Sequence, residues 1–489
     1  MPSGVKIQPM LLIKNVKVVD GGGQEAKSAD VLISGDKISA IGNFPDKKAE
    51  TVIEGLGGYL TPGFIDVSTD ADHYLTLFTN PSQDNFLKQG VTTIIGGHCG
   101  SSLAPLLYGS LESIRKWANP NQINIDWQTF EEFLAAISRL PLGVNFGTLI
   151  GHSTIRRALI GEDLRDLTEK EIKVFKEIVE ESLRAGALGF STGLAYAHSR
   201  QTPYQEIKSF VSLLPKYNAA YTTHLRDERA AVYNSVNETL QLYKETGAKT
   251  VISHFRPIIG YEKNFEAALG LIEKSSSKMD FHFDIYPFTT SIVPLYILLP
   301  EWAQRGGLET MLELLQNPGC QKRVIKELPP FKNGELTIAQ SPTNPFLEGK
   351  TVTKKELVDL MLATRLRALL FHQNISPTHL EKIISSDKAL IGSNSGGLGE
   401  RAISTFPRFL ELAGKQKKYK FEKAIKKITG DAAAKFNLKE RGLIKEGYFA
   451  DLVLIINNKI QAVVINGQTA VRNGQWQKIT AGSVLVRNS

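Results

Sequence analysis

Cysteine is scarce in this chain: there are two in 489 residues, Cys99 and Cys320, far apart in sequence. That excludes a disulfide framework and suits a reducing compartment, so any cysteine chemistry here involves a metal or a nucleophile. Also missing is any run of the roughly 20 apolar residues that a membrane-spanning helix needs. The opening MPSGVKIQPMLLIKNVKVVD lacks the charged-then-apolar order of a secretory signal. The expected location is therefore the cytoplasm, with no membrane partner. Acidic residues are outnumbered, with Asp+Glu 50 against Lys+Arg 58 and a net charge of +8. Much of the excess sits in one run, Lys415 to Lys427 (KQKKYKFEKAIKK), whose lysines follow a helical period with Phe421 and Ile425 as its buried face. This reads as a solvated amphipathic helix, and no nucleic-acid partner is expected.

The remaining composition, 42% hydrophobic and 22% charged, is that of a globular chain able to build a large core and a second, smaller body. From Leu11 to Gly42, short β-branched runs alternate with glycine and charge (LLIKNVKVVDGG, ADVLISGDKISAIG). The end of the chain repeats that rhythm in FADLVLI, IQAVVINGQTAV and AGSVLVR. The pattern predicts a small β-sandwich built from both termini, residues 1–58 and 439–489.

Between them, short buried-type runs alternate with helical patterns such as EKEIKVFKEIVEESLRAG and FEAALGLIEKSS. There are eight such runs: Tyr59 to Val67, Val91 to Gly97, Val144 to Gly151, Ala187 to Thr192, Ala219 to Thr223, Thr250 to Ser253, Phe281 to Ile285 and Ala389 to Ser393. Eight strands separated by helices predict an α/β fold, a (β/α)8 TIM barrel over residues 59–438. The long stretch between the last two runs predicts an insertion at about 294–357.

Barrel enzymes carry their reactive groups at the C-terminal ends of the strands. There the second run closes on Cys99, the fifth on His224 and the sixth on His254, while the first closes on Ser68-Thr69-Asp70 and the eighth on Asn394. Taken singly, a buried cysteine is a small hydrophobe and a buried histidine is a hydrogen-bonded one. Taken together, a thiolate and two imidazoles from separate strand ends suit a zinc site with three protein ligands and a fourth position for water. Cys320, in NPGCQK, is read as structural, as is His98, which points the other way on its strand. His152 of GHSTIR closes a strand and is a candidate pocket residue, and Glu228 of HLRDE is a candidate to orient a ligand histidine.

The motifs YLTPGFIDV, QGVTTIIGGHCGSSLAPL, GHSTIR, AGALGFSTGLAY, YTTHLRDE, VISHFR, FDIYPFTT, ALIGSN, STFPRFL and RGLIKEGYFADLVL run nearly the length of the chain. In that order they resemble the N-acyl-D-amino-acid deacylases (D-aminoacylases) of the amidohydrolase superfamily. The resemblance implies zinc held by Cys99, His224 and His254. It also implies a substrate carboxylate held by Arg401, with Arg256 replacing a lysine, and a cavity lined by Tyr196 and Tyr286.

The family has a His-x-His pair for a second, weaker metal site where this chain has Ser68 and Asp70, and a general-base aspartate where it has Asn394. One zinc ion is therefore expected, with the second site lost. An amide cannot accept a proton from water, so Asp70 is the expected proton-transfer group, with Asp72 or His73 of the same loop as substitutes. The implied function is deacylation of N-acyl-D-amino acids by zinc-activated water, the partner being a small-molecule N-acyl amino acid. One alternative is a pseudoenzyme that binds a ligand without turnover. Another is a cyclic-amide hydrolase of hydantoinase or dihydroorotase type, disfavoured because such families use a lysine where this chain has Cys99.

Overall fold

A computed structural model describes residues 10–487 apart from 108–110, 116, 276–278, 333, 398 and 417–418. The first nine residues, part of the opening read for a signal, and residues 417–418 of the lysine run lie outside the described residues.

Strands from both ends of the chain share one nine-stranded sheet. Its middle strand, Tyr59–Pro62, pairs in parallel with Met10–Val18 and antiparallel with Leu452–Ile456. Leu11, Ile13, Val31, Ile33, Leu60, Leu452 and Leu454 pack as one buried apolar cluster from these strands, as the alternation of apolar and polar residues dictates. The expected run Tyr59 to Val67 is thus two strands: after Pro62 the chain leaves the mixed sheet, and Phe64–Asp66 starts a parallel one. Gly63 permits the crossing, since a Cβ there would lie 2.1 Å from the Thr92 hydroxyl. Tyr59–Pro62, expected to open the parallel strands after residue 58, is accordingly a strand of the mixed sheet.

The central part of the chain forms two parallel sheets. One orders Phe64–Asp66, Val91–Gly96 and Asn145–Thr148. The other orders Ala389–Ile391, Phe281–Ile285, Lys249–Ile252, Ala220–His224, Gly189–Gly193 and Ile150–Gly151. Backbone bonds span their borders, from Val67 N to Ile391 O (3.4 Å) and from Leu188 N to Thr148 O (3.0 Å). Ile65, Ile95, Leu149, Leu188, Ala220, Val251 and Leu390, from or beside strands of both sheets, pack in a single buried cluster closed by Ala432, Ala433 and Phe436.

Amphipathic helices alternate with the strands. Glu169–Arg184 starts at a capping box of Thr168 and Glu171 and buries Phe175, Ile178, Val179 and Leu183. The lysine-rich helix Phe421–Ile428 departs from a plain solvated face: Lys427 is buried, donating to the Ile384 and Ser386 carbonyls at 2.8 Å each. Burial pulls its pKa down to about 7.

A third sheet, antiparallel, is set between the last two parallel strands. Ser291–Pro294 and Leu336–Gln340 flank Leu369–His372. This sheet reaches beyond 294–357 on both sides, because one edge strand starts at Ser291 and the central strand ends at His372. It roofs the C-terminal ends of the parallel strands. Among the described residues, no helix is long and apolar enough to cross a membrane.

Candidate metal centre

Cys99 and His254 follow the strands Val91–Gly96 and Lys249–Ile252, while His224 is the last residue of Ala220–His224. Their donor atoms all lie within 4.8 Å of one another, and all three residues are buried. Cys99 Sγ is 3.4 Å from His254 Nε2. A tetrahedral zinc with bonds of about 2.3 Å to sulfur and 2.0 Å to nitrogen sets its S and N ligands roughly 3.5 Å apart. Cys99 (φ 55°), His254 (φ 38°) and Asn394 (φ 48°) all have left-handed backbones. For a cysteine or histidine this costs on the order of 1 kcal/mol, the kind of strain that collects at functional sites. Gly193 makes room for the turn at Cys99, since a Cβ there would lie 2.1 Å from the Cys99 carbonyl.

Glu228 stands behind both imidazoles. Its Oε2 is 3.1 Å from His224 Nε2, its Oε1 is 3.3 Å from His254 Nδ1, and Arg256 also donates to it. Burial alone would raise the Glu228 pKa, but the charge of Arg256 and the bonds to His224 and His254 hold it well below the carboxylate range. With the outward nitrogens occupied, His224 Nδ1 is left buried without a protein partner. His254 Nε2 faces the Cys99 sulfur. Burial, followed by the neighbouring His224, lowers the His254 pKa to about 4, so this ring is neutral and able to ligate a cation. His254 is braced from below, its backbone N–H donating to Asp284 Oδ1 at 2.9 Å. The chemistry of the set suits a divalent ion: one soft and two borderline donors, with a carboxylate fixing the rings. Among the described residues this is the one cluster of three or more such donors.

The first and eighth parallel strands meet on another side of the same cavity. Asn394 N donates to Ser68 O at 2.8 Å, and Asp70 N to Ser395 O at 2.9 Å. Asp70 and Asn394 both line the small cavity, of about 20 Å³, that holds the three donors, whereas Ser68 does not. Asp70 is bonded to His73 (3.0 Å). This bond and the His73 charge outweigh burial and hold the Asp70 carboxyl below its ordinary range. Asp72 turns away to accept from Gly97 N at 2.7 Å.

Of the expected substrate residues, Tyr196 and Arg256 line the cavity, but Tyr286 and Arg401 do not. Tyr286 is fully buried between the two guanidiniums: its hydroxyl is 3.5 Å from Arg256 Nη1, and Arg401 lies 4.1 Å over its ring. Arg401 donates to the Thr290 carbonyl at 2.5 Å, and its Nη1 is buried without a partner. His152 begins a helix and is bonded to Glu206 (2.9 Å) beside Phe175, away from the cavity. Cys320 sits in the helix Pro318–Glu327 of the inserted body.

Several site residues carried no sequence signal. Trp117 lines the cavity from an irregular segment and stacks 4.4 Å from the His73 ring. Ile292, Val293, Ile297 and Leu369 of the inserted body form its aliphatic roof. A larger cavity of about 260 Å³ adjoins it, sharing Arg256, Val293 and Ile297.

No protein-family model matches the chain. Over 91% of its length it is 29% identical to the D-aminoacylase of Alcaligenes xylosoxydans xylosoxydans, covering 87% of that protein. A solved D-aminoacylase, described as defining a novel subset of amidohydrolases, superposes with a TM-score of 0.82 at 26% identity, covering 98% of this chain and 99% of the other. The chain is thus similar over about nine-tenths of its length to proteins named D-aminoacylase and N-acyl-D-aspartate deacylase. The N-acyl-D-glutamate deacylase of Bordetella bronchiseptica, solved with zinc and a phosphonate mimic of the reaction's tetrahedral intermediate, shares the fold (TM-score 0.81, 22% identity, covering 99% of this chain and 100% of that one). An L-hydantoinase from Arthrobacter aurescens lies further off, with a TM-score of 0.59 at 13% identity and coverage of 98% and 100%.

Proposed function

We propose that the chain hydrolyses the amide of N-acyl-D-amino acids, using one zinc ion held by Cys99, His224 and His254. The observation that carries this reading is Glu228, which engages the outer nitrogens of both imidazoles and leaves the inner nitrogens and the thiol to converge. A zinc ion at these donors supplies Lewis acidity and a water of lowered pKa. The substrate class comes from the D-aminoacylases that the chain resembles over nine-tenths of its length. Asp70, the carboxylate that lines the cavity, takes the proton of the attacking water and passes it to the leaving nitrogen. Arg401, a buried guanidinium without a carboxylate partner among the described residues, holds the substrate carboxylate together with Arg256 after Tyr286 and the pocket wall adjust. The aliphatic roof keeps the reacting amide dry. Two parallel sheets bridged by backbone bonds around one shared apolar cluster support their reading as a single (β/α)8 barrel, with the mixed sheet as the second body.

The test is amine release from matched N-acyl-D- and N-acyl-L-amino acids by the purified protein with zinc present. Release from the D series alone is expected, and no release from either series overturns the reading.

A second reading rests on Asn394, which occupies the cavity with an amide that cannot exchange protons. It holds that the pocket binds the same ligands without turnover. Asn394→Asp separates the two: activity that appears only in this variant supports binding alone, whereas a wild type that is already active removes it.

A further inference from the structure

The loop after Phe64–Asp66 carries a histidine that the reaction above does not use. His73 is fully buried. Its Nδ1 lies 3.0 Å from Asp70 Oδ1 and its Nε2 lies 3.0 Å from the carbonyl oxygen of Ser101. A carbonyl and an ionised carboxylate only accept, so satisfying both contacts requires hydrogen on both ring nitrogens. The surroundings favour that positive ring over a neutral one bonded to a protonated Asp70. Asp72 Oδ2 is 3.8 Å from Nε2, and the Trp117 indole stacks on the imidazole at 4.4 Å and 22°. Burial opposes the charge, but Asp72 and Asp70 outweigh it and raise the His73 pKa to about 9.

The pair is placed to act on the cavity. Asp70 Oδ1 is taken by His73, while Oδ2 has no hydrogen bond among the described residues and Asp70 lines the cavity of the three donors. The other titratable groups around the pair add little positive charge: burial lowers His98 to about 3 and His254 to about 4, Tyr74 is a half-buried phenol whose pKa is raised, chiefly by desolvation, and burial raises the Asp72 carboxyl.

We propose that His73 is a positioning residue for Asp70: a lasting imidazolium, clamped between Asp70 and the Ser101 carbonyl, that fixes the carboxylate with its second oxygen free for proton transfer and sets a unit positive charge beside it. This rests on the hydrolase reading given above. During a turnover, Asp70 Oδ2 gains the proton released by the attacking water, and the pair goes from net zero to +1. Delivery of that proton to the leaving nitrogen as the C–N bond breaks returns the pair to zero, and His73 keeps both of its protons throughout.

The test combines two measurements. In ¹⁵N-histidine NMR of the intact zinc-loaded protein at pH 7.5, the signal missing from His73→Gln should show both ring nitrogens protonated; a neutral ring overturns the proposal whether or not the protein turns over. In kinetics, His73→Gln, which keeps a donor and loses the charge, should lower kcat by about 10- to 100-fold through misplacement of Asp70. KM and zinc content should be nearly unchanged, and the acidic limb of the kcat profile should move to higher pH. An unmoved limb with a lowered Tm means a purely structural histidine and overturns it. A wild type without amine release, with the ring still charged, overturns the hydrolase reading on which the positioning role depends.

Discussion

Arg401 sits 4.1 Å over the Tyr286 ring and has no carboxylate partner among the described residues, although it is buried. Burial lowers its pKa, a sign of a charge held out of water without full compensation. A guanidinium kept in that state is expected to meet an anion supplied by a ligand. Arg401→Met should therefore raise KM for an N-acyl amino acid by about 10- to 100-fold, the worth of a hydrogen bond to a charged group. The same variant should melt no lower than the wild type, since it removes an uncompensated buried charge. Steady-state kinetics and calorimetry check the two halves, and a variant that loses stability with an unchanged KM refutes the assignment.

Metal content follows from the donor set. Cys99→Ser and His254→Ala should each reduce bound zinc from about one equivalent to near zero by elemental analysis. Cys320→Ser, which alters the chain's other cysteine in a separate helix, should leave zinc content intact.

Glu228 should tune affinity without being a ligand. Glu228→Gln retains the size of the side chain but weakens its grip on His224 and His254, and competition with a chelator should show zinc affinity lower by about 10- to 100-fold. An unchanged affinity would show that the rings are held by packing alone.

The His73 ion pair links stability to pH. The folded pKa, about 9, is raised above the ordinary value of 6.5. The stabilisation is thus complete below about pH 6.5 and is lost as pH rises toward 9, amounting to on the order of 1 to 3 kcal/mol. Asp66 and Asp284, raised by burial to about 7 and about 8, lose stability in an overlapping range. The diagnostic quantity is therefore a difference: denaturant melts of His73→Gln subtracted from wild type should show a gap that narrows between pH 6.5 and 9. A constant gap contradicts the charge assignment.

The parallel strands were legible because runs such as TTIIG and FHFDI are short, apolar and separated by amphipathic helices, and reading the residue that closes each run led to Cys99, His224 and His254. What escaped the sequence depends on contacts between distant segments. Tyr59 and Phe64 sit in one apolar run, yet Tyr59 pairs with Ile455 near the end of the chain while Phe64 pairs with Val91 in a parallel sheet. Trp117 and the roof residues Ile292 and Leu369 look like ordinary core residues until the inserted body folds over the strand ends. His98, expected to be structural, is buried, and burial pushes its pKa down to about 3. The lysine run reads as a solvated face, yet two carbonyls receive Lys427 in the interior.

The left-handed turn at Asn394 limits what can replace it. Asparagine and aspartate tolerate that backbone better than almost any residue bearing a Cβ, whereas valine, isoleucine or threonine would strain it. The position is thus conformationally neutral between the amide now present and an acid. An acid placed at this strand end changes the proton-handling capacity of the cavity and leaves the architecture of the rim undisturbed.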